Sequence, residues 1–211
     1  MTTLGFLHTS PVHVATFDEL VGQRLPGART THVVDETLLH DARAHGPESV
    51  ARRVRRALDE LVTAGADIIC CTCSTIGDVA EHADVAVPVF RVDRPMARRA
   101  VELGPRIGVV AALGSTLAPT RALLEGEAAR AGADVVLDLV TTAHAWSRFE
   151  RGDEQGYLAE VADTARGLAS RVDVIVLAQA SMAAAEAGLT DLGIPVLSSP
   201  SLAVEHLAAR A

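Results

Sequence analysis

The 211-residue chain contains no lysine; all 19 of its basic residues are arginine. Pyridoxal-phosphate chemistry needs a Schiff-base lysine and P-loop nucleotide chemistry needs a phosphate-binding one, so neither can be built here. Aromatic residues amount to 3%, which leaves Ala, Val, Leu and Ile to fill the core and offers no stacking platform for a large aromatic ligand. Cysteine is limited to three residues, all within Cys70-Cys71-Thr72-Cys73. So tight a cluster cannot form a disulfide framework and points to a reducing compartment. No apolar run approaches the roughly 20 residues that span a bilayer. The opening Met1-Thr2-Thr3-Leu4-Gly5-Phe6-Leu7 lacks the basic stretch of a signal peptide, and a cytoplasmic location is expected. A formal net charge of −8 argues against a nucleic-acid or anionic-membrane partner.

Apolar residues make up 49% of the chain, enough for a well-filled α/β interior. The pattern alternates strand and helix. Strands are expected at 4–8, 29–34, 67–72, 87–92, 107–112, 134–139, 174–178 and 195–197. Helices are expected at 16–22, 48–64, 75–83, 95–103, 117–131, 155–170, 181–189 and 201–209. Apolar strands separated by helices imply parallel sheets covered on both faces. The run Arg52-Arg53-Val54-Arg55-Arg56 falls in a helical pattern whose inner stripe is Ala51, Val54, Leu58 and Leu61, so its arginines read as a solvated face. The arginines near Arg91-Arg94 and Arg98-Arg99 read as a solvated helix surface, with anion binding the rarer alternative.

The order of elements repeats. Leu4-Gly5-Phe6-Leu7 returns as Ile107-Gly108-Val109-Val110, and Ala66-Asp67-Ile68-Ile69 as Val172-Asp173-Val174-Ile175. Val87-Pro88-Val89 returns as Ile194-Pro195-Val196, at an offset of 195 − 88 = 107 against 108 − 5 = 103 for the first pair. Two similar Rossmann-like lobes are expected, related by a pseudo-two-fold. Lobe 1 would span 1–93 plus a C-terminal helix in 200–211, and lobe 2 would span 94–199. Ligands of parallel α/β sheets bind beyond the carboxyl ends of the strands, near helix N-termini, so an active site in the inter-lobe cleft is expected.

The strand-end loops carry the candidate chemistry. Cys70 and Cys71 read as core, because buried cysteine behaves as a small hydrophobe. Cys73 ends its strand before a helix, where a thiol is more reactive. His8 ends the first strand and could exchange protons near neutral pH. Ser10, Ser74, Thr75, Ser115 and Thr116 suit helix capping and carboxylate binding alike. Gln179-Ala180-Ser181 occupies in the second lobe the place of Cys73-Ser74-Thr75 in the first, since 179 − 73 = 106. His144 follows a second-lobe strand. Cys70-x-x-Cys73 does not read as a metal site, because the two side chains point to opposite faces of a strand and no second pair completes four ligands. No metal is expected.

The ordered set Gly65-Ala66-Asp67-Ile68-Ile69-Cys70-Cys71-Thr72-Cys73-Ser74-Thr75, Val87-Pro88-Val89, Ile107-Gly108-Val109-Val110, Val174-Ile175-Val176-Leu177-Ala178-Gln179-Ala180-Ser181-Met182 and Ile194-Pro195-Val196 resembles the aspartate/glutamate/hydantoin racemase superfamily. The resemblance implies a cofactor-independent enzyme that moves a proton on the carbon next to a carboxylate, with one cysteine per lobe facing that carbon. Cys73-Ser74-Thr75 is similar to the family's Cys-Asn-Thr; Cys70-Cys71-Thr72 is a rival register. Two departures follow. The second cysteine falls on Gln179, and His8-Thr9-Ser10 replaces the usual acidic residue after the first strand. What the resemblance then implies is a single-thiol isomerase or lyase acting on a small carboxylate, with Cys73 as acid or base, His8 as its partner and Gln179 as a neutral donor. The alternative is a catalytically inactive small-carboxylate-binding protein of the same fold. The sequence is compatible with a homodimer or higher homo-oligomer.

Overall fold

The computed structural model describes residues 1–210; residue 211, assigned to the first lobe above, lies outside the described residues. Two compact units emerge, one of Met1–Asp93 with Pro200–Ala211 and one of Arg94–Ser199. The first contains β1 (Thr3–His8), α1 (Val12–Arg24), β2 (Arg29–Val34), α2 (Glu36–His45), α3 (Ala51–Thr63), β3 (Ile68–Cys71), α4 (Gly77–Glu81) and β4 (Val89–Arg91). The second contains α5 (Arg94–Leu103), β5 (Arg106–Ala111), α6 (Gly114–Ala131), β6 (Val136–Thr141), α7 (Ala145–Glu150), α8 (Glu154–Leu168), β7 (Val174–Leu177) and β8 (Val196–Ser198). A last helix, α9 (Ser199–Ala208), returns the chain to the first unit.

Each unit holds a four-stranded sheet, ordered β2-β1-β3-β4 in the first and β6-β5-β7-β8 in the second, and every pairing is parallel. Parallel strands need helical crossovers on both faces, so both faces are apolar. In the first unit, Leu7, Leu38, Val54, Leu58, Leu61 and Ile69 form one core cluster. Leu4, Phe6, Phe17, Val21 and Phe90 form another, with Ala203, Val204 and Leu207 of α9. The arginine-rich α3 buries Val54, Ala57, Leu58 and Leu61. Its Arg55 and Arg56 face Asp59 and Glu60 one turn on, and Arg53 reaches Asp35 and Asp41.

The repeat reappears as shared packing details. Asp67 accepts from the Thr3 N–H at 2.8 Å, and Asp173 accepts from the Arg106 N–H at 2.9 Å, each tying the entrance of a unit's first strand. Gly5 and Gly108 sit where the helical layer crosses that strand. A Cβ on Gly5 would lie 2.9 Å from Ala66 Cβ and 3.0 Å from Ile69 Cγ1. One on Gly108 would lie 3.2 Å from Val172 Cγ2.

Four elements differ from the sequence expectation. Helix α2 was not foreseen, although Asp35 caps it by accepting from the Thr37 N–H and Gly46 stops it at φ 86°. Helix α7 lies in a stretch read as loop. The helix expected over 75–83 is confined to Gly77–Glu81; the Thr75 and Ile76 N–H groups ahead of it face the Cys73 sulfur. The segment expected as a helix over 181–189 is instead a 3₁₀ run, Ala180–Gly188. Gly5→Ala is expected to cost roughly 1–3 kcal/mol through overpacking. Gly22→Ala, whose Cβ would meet nothing within 4 Å, serves as the control that does not destabilise; urea unfolding measures both.

Candidate active site

Because all strands of the first unit run the same way, the chain leaves β1, β3 and β4 at one edge of the sheet. The residues there are Thr9-Ser10, Cys73-Ser74-Thr75 and Asp93. Cys73 is 8% exposed, whereas Cys70 and Cys71 are wholly enclosed within β3. Burial pushes the Cys73 thiol up from its ordinary value, against hydrogen bonds from the Thr9 side chain and the Ile76 and Thr75 N–H groups, which favour the thiolate; the Asp93 charge adds to the rise. Burial raises Cys70 and Cys71 as well. Cys71 Sγ meets the Cys73 carbonyl at 3.8 Å. Cys73 therefore differs from its two neighbours in having a set of donors converging on its sulfur.

Ser74 is held at both ends. Its carbonyl accepts from Arg91 Nη2 at 3.3 Å, and its hydroxyl donates to the Asp93 carboxylate. Arg91 in turn donates to Asp93 through Nε at 2.7 Å and Nη2 at 3.0 Å. Burial alone would raise Asp93, but the Arg91 charge and these hydrogen bonds outweigh it and hold the carboxyl below its ordinary value. The expectation of a solvated helix surface is corrected at Arg91, which is only 2% exposed. It lies on β4, not on a helix, and Gly77 leaves room for it: a Cβ there would fall 2.9 Å from Arg91 Cβ. Arg94 and Arg98 pair with Glu127 at 2.5 and 3.5 Å.

His8 ends β1 but is fully buried. Its Nδ1 meets Thr72 Oγ1 at 2.8 Å and its Nε2 meets His32 Nδ1 at 2.9 Å; His32 Nε2 continues to Asp18 at 3.0 Å. Burial lowers His8 to about 3, with the neighbouring His32 and His13 adding to the fall and Asp18 opposing it. The ring is neutral at pH 7. It bridges three strand ends instead of facing outward. Ser10 is half-buried at the approach to α1, where its carbonyl accepts from His13 N–H at 3.4 Å.

In the second unit, β5 and β7 end at Leu113-Gly114-Ser115-Thr116 and Gln179-Ala180-Ser181. Gln179 Oε1 accepts from the Ala112 N–H at 2.6 Å and the Leu113 N–H at 3.2 Å. Two N–H donors can face only the oxygen, so the amide orientation is determined and its NH2 end is directed elsewhere. Ser181 Oγ meets Tyr157 OH at 2.7 Å. Thr116 is buried, and Ser115 Oγ is buried with no hydrogen-bond partner among the described residues, as are the hydroxyls of Thr142 and Ser199 after β6 and β8. His144 is exposed, and its N–H donates to Glu160 at 2.6 Å. Sequence reasoning missed Thr9, Asp93 and Arg91. Thr9 lies in a loop already singled out, but its contact with the sulfur depends on β1 and β3 being neighbours.

Two parallel α/β units, each with its strand exits gathered at one edge of a four-stranded sheet, define the class of fold. The chain belongs to the Asp/Glu/hydantoin racemase family, whose model matches residues 70–207. No curated protein sequence matches it closely enough to count as a relative. Among solved structures it is similar to aspartate racemase of Picrophilus torridus, with a TM-score of 0.77, 15% identity and coverage of 99% of this chain and 95% of that one. Allantoin racemase from Pseudomonas fluorescens gives a TM-score of 0.70 at 18% identity, covering 99% and 90%. A cysteine-substituted mutant of arylmalonate decarboxylase gives 0.59 at 16%, covering 99% and 92%.

The neutral His8 predicts a pH effect on stability. Its folded pKa lies below the unfolded value, so the unfolded chain takes up the proton first. The stability it contributes is complete above about 6.5 and is lost as the pH falls toward 3. The loss approaches about 1.4 kcal/mol per pH unit within that window. Urea unfolding between pH 7 and 4.5 should show a shallower decline for His8→Gln than for the unsubstituted protein.

Proposed function

We propose that this chain is a cofactor-independent isomerase or lyase acting at the carbon next to the carboxylate of a small substrate, moving a proton there or replacing carbon dioxide by one. The observation that carries the reading is the convergence of Thr9 and the Thr75 and Ile76 N–H groups on the Cys73 sulfur. Burial keeps this thiol protonated at rest, so donation is its natural first act. The carbanion beside the carboxylate takes the sulfur's proton, and the three donors receive the thiolate that forms. Solvent then returns the proton to sulfur. In the isomerase direction the same thiolate would be the base.

Ser10 and Thr75 in the first unit, and Ser115, Thr116 and Ser181 in the second, are each proposed as carboxylate-binding residues, with Ser74 contributing backbone, since its hydroxyl hydrogen is engaged by Asp93. The NH2 end of Gln179, left free by the Ala112 and Leu113 contacts of its oxygen, is proposed as a neutral hydrogen-bond donor of the second unit. His8, neutral and enclosed, serves by holding Thr72 and the Thr9 loop in place. The protein is proposed to work in the cytoplasm; among the described residues no helix is long and apolar enough to cross a membrane. A second reading, a carboxylate-binding protein without catalysis, is favoured by one observation: Gln179 offers no acid or base where the family resemblance implies a second thiol.

Proton exchange in heavy water, followed by NMR across amino acids, hydantoins and substituted malonates, separates the two. Exchange or carbon dioxide release supports catalysis, and binding without either supports the second reading. Cys73→Ala should lower turnover by at least about 100-fold, while Cys70→Ala leaves turnover per folded molecule nearly unchanged. Equal losses would remove Cys73 from its assigned role. Gln179→Glu keeps an oxygen for the Ala112 and Leu113 N–H groups but replaces the donor with negative charge, and should raise KM for a carboxylate substrate.

A further inference from the structure

Beyond the thiol itself, the geometry points to the buried Arg91–Asp93 pair as a positioning device that grips Ser74 by both its carbonyl and its hydroxyl and so aims the Thr75 and Ile76 N–H groups at the Cys73 sulfur. The inference rests on Cys73 being the working group. Three observations converge on it.

First, the pair is almost sealed off, with Arg91 2% and Asp93 0% exposed. Enclosing two charges is costly and seldom adds stability over well-packed apolar residues. Such a pair is informative when its geometry restricts something else. Second, its contacts single out one residue. Beyond the two bonds of the pair, Nη2 of Arg91 goes to the Ser74 carbonyl at 3.3 Å, and Asp93 takes the Ser74 hydroxyl. A residue held at its carbonyl and its side chain has little freedom in ψ or χ1. The N–H groups that follow inherit that orientation. Third, the space was made for it. Gly77 opens α4 immediately after the last of these N–H groups, and any side chain there would collide with Arg91.

The surrounding charges act on the pair more than on the sulfur. Asp78 Oδ1 lies 3.9 Å from Arg91 Nη1, and Glu81 Oε1 accepts from the Arg91 N–H at 3.4 Å, both from α4. Asp93 is the charged group whose field reaches Cys73. Neutral His8 stands behind Thr9 in the chain.

The test reads the thiol directly, without a substrate. Cysteine labelled with 13C at Cβ lets the Cys73 ionisation be followed by NMR. In Ser74→Ala the midpoint should move upward, with a roughly three- to tenfold smaller thiolate fraction at a given pH, the size of one ordinary hydrogen bond weakened by misalignment. Ser74→Thr, which keeps the hydroxyl, should leave it in place. Arg91→Lys keeps the charge but cannot reach both Asp93 oxygens and the Ser74 carbonyl, and should move the midpoint upward too. Circular dichroism establishes that each variant is folded. An unmoved midpoint in folded Ser74→Ala, or equal movement in Ser74→Ala and Ser74→Thr, would overturn the inference. If the midpoint moves as expected but Cys73→Ala loses no turnover, the clamp stands and the assignment of Cys73 as the working thiol fails instead.

Discussion

A strand in a parallel sheet can be followed by another only if the chain travels back along the outside and re-enters from the same end. Every other feature of this protein is downstream of that constraint. With β1, β3 and β4 all running one way, their exits lie together, and Thr9, Cys73 and Asp93 become neighbours despite being far apart in sequence. The same rule in the second unit collects Leu113, Thr142, Gln179 and Ser199 at the exits of β5, β6, β7 and β8. The chemistry-bearing residues owe their company to direction of travel more than to local sequence.

At the first of these edges two opposed forces act on one sulfur. Enclosure disfavours charge, while three hydrogen bonds favour it. The outcome is a thiol that is protonated at rest yet has a prepared place for its anion. Nearby, the same opposition is resolved in two other ways. Asp93 keeps its charge because a guanidinium lies within 3 Å. His8, with no such partner in direct contact, gives its charge up and becomes a neutral strut between Thr72 and His32. Three enclosed polar groups thus reach three different settlements, each decided by what lies within hydrogen-bonding distance.

The architecture was legible because it rests on periodicity. Apolar runs such as Ile68–Cys71 and Val174–Leu177 announce buried strands, and the paired Asp67 and Asp173 mark the repeat in the letters themselves. Helix α2 was missed although its signals were present: Asp35 before it and Gly46 after it bracket a segment whose only deeply enclosed residues are Leu38 and Ala42, too few for a clear stripe. The placement of Arg91 could not be read at all. An arginine in an Arg-rich stretch resembles a solvated one until Asp93 and the empty side of Gly77 are brought against it. The environment of His8 was equally hidden, since enclosure by β2 and α1 is a property of the assembled sheet. Cys73 was separable from Cys70 and Cys71 because position relative to the strand end, unlike depth, can be counted along the chain.

Helix α9 adds a constraint of a different kind. Ala203, Val204 and Leu207 cover Leu4, Phe6 and Phe17, yet they are translated only after the whole of Arg94–Ser199. The second unit is contiguous and can complete itself as it emerges from the ribosome. The first, begun earlier, has to wait with one aromatic face uncovered. Its assembly is therefore ordered late by gene order alone, and a nascent chain halted before α9 would present Phe6 and Phe17 to chaperones as an unfinished surface.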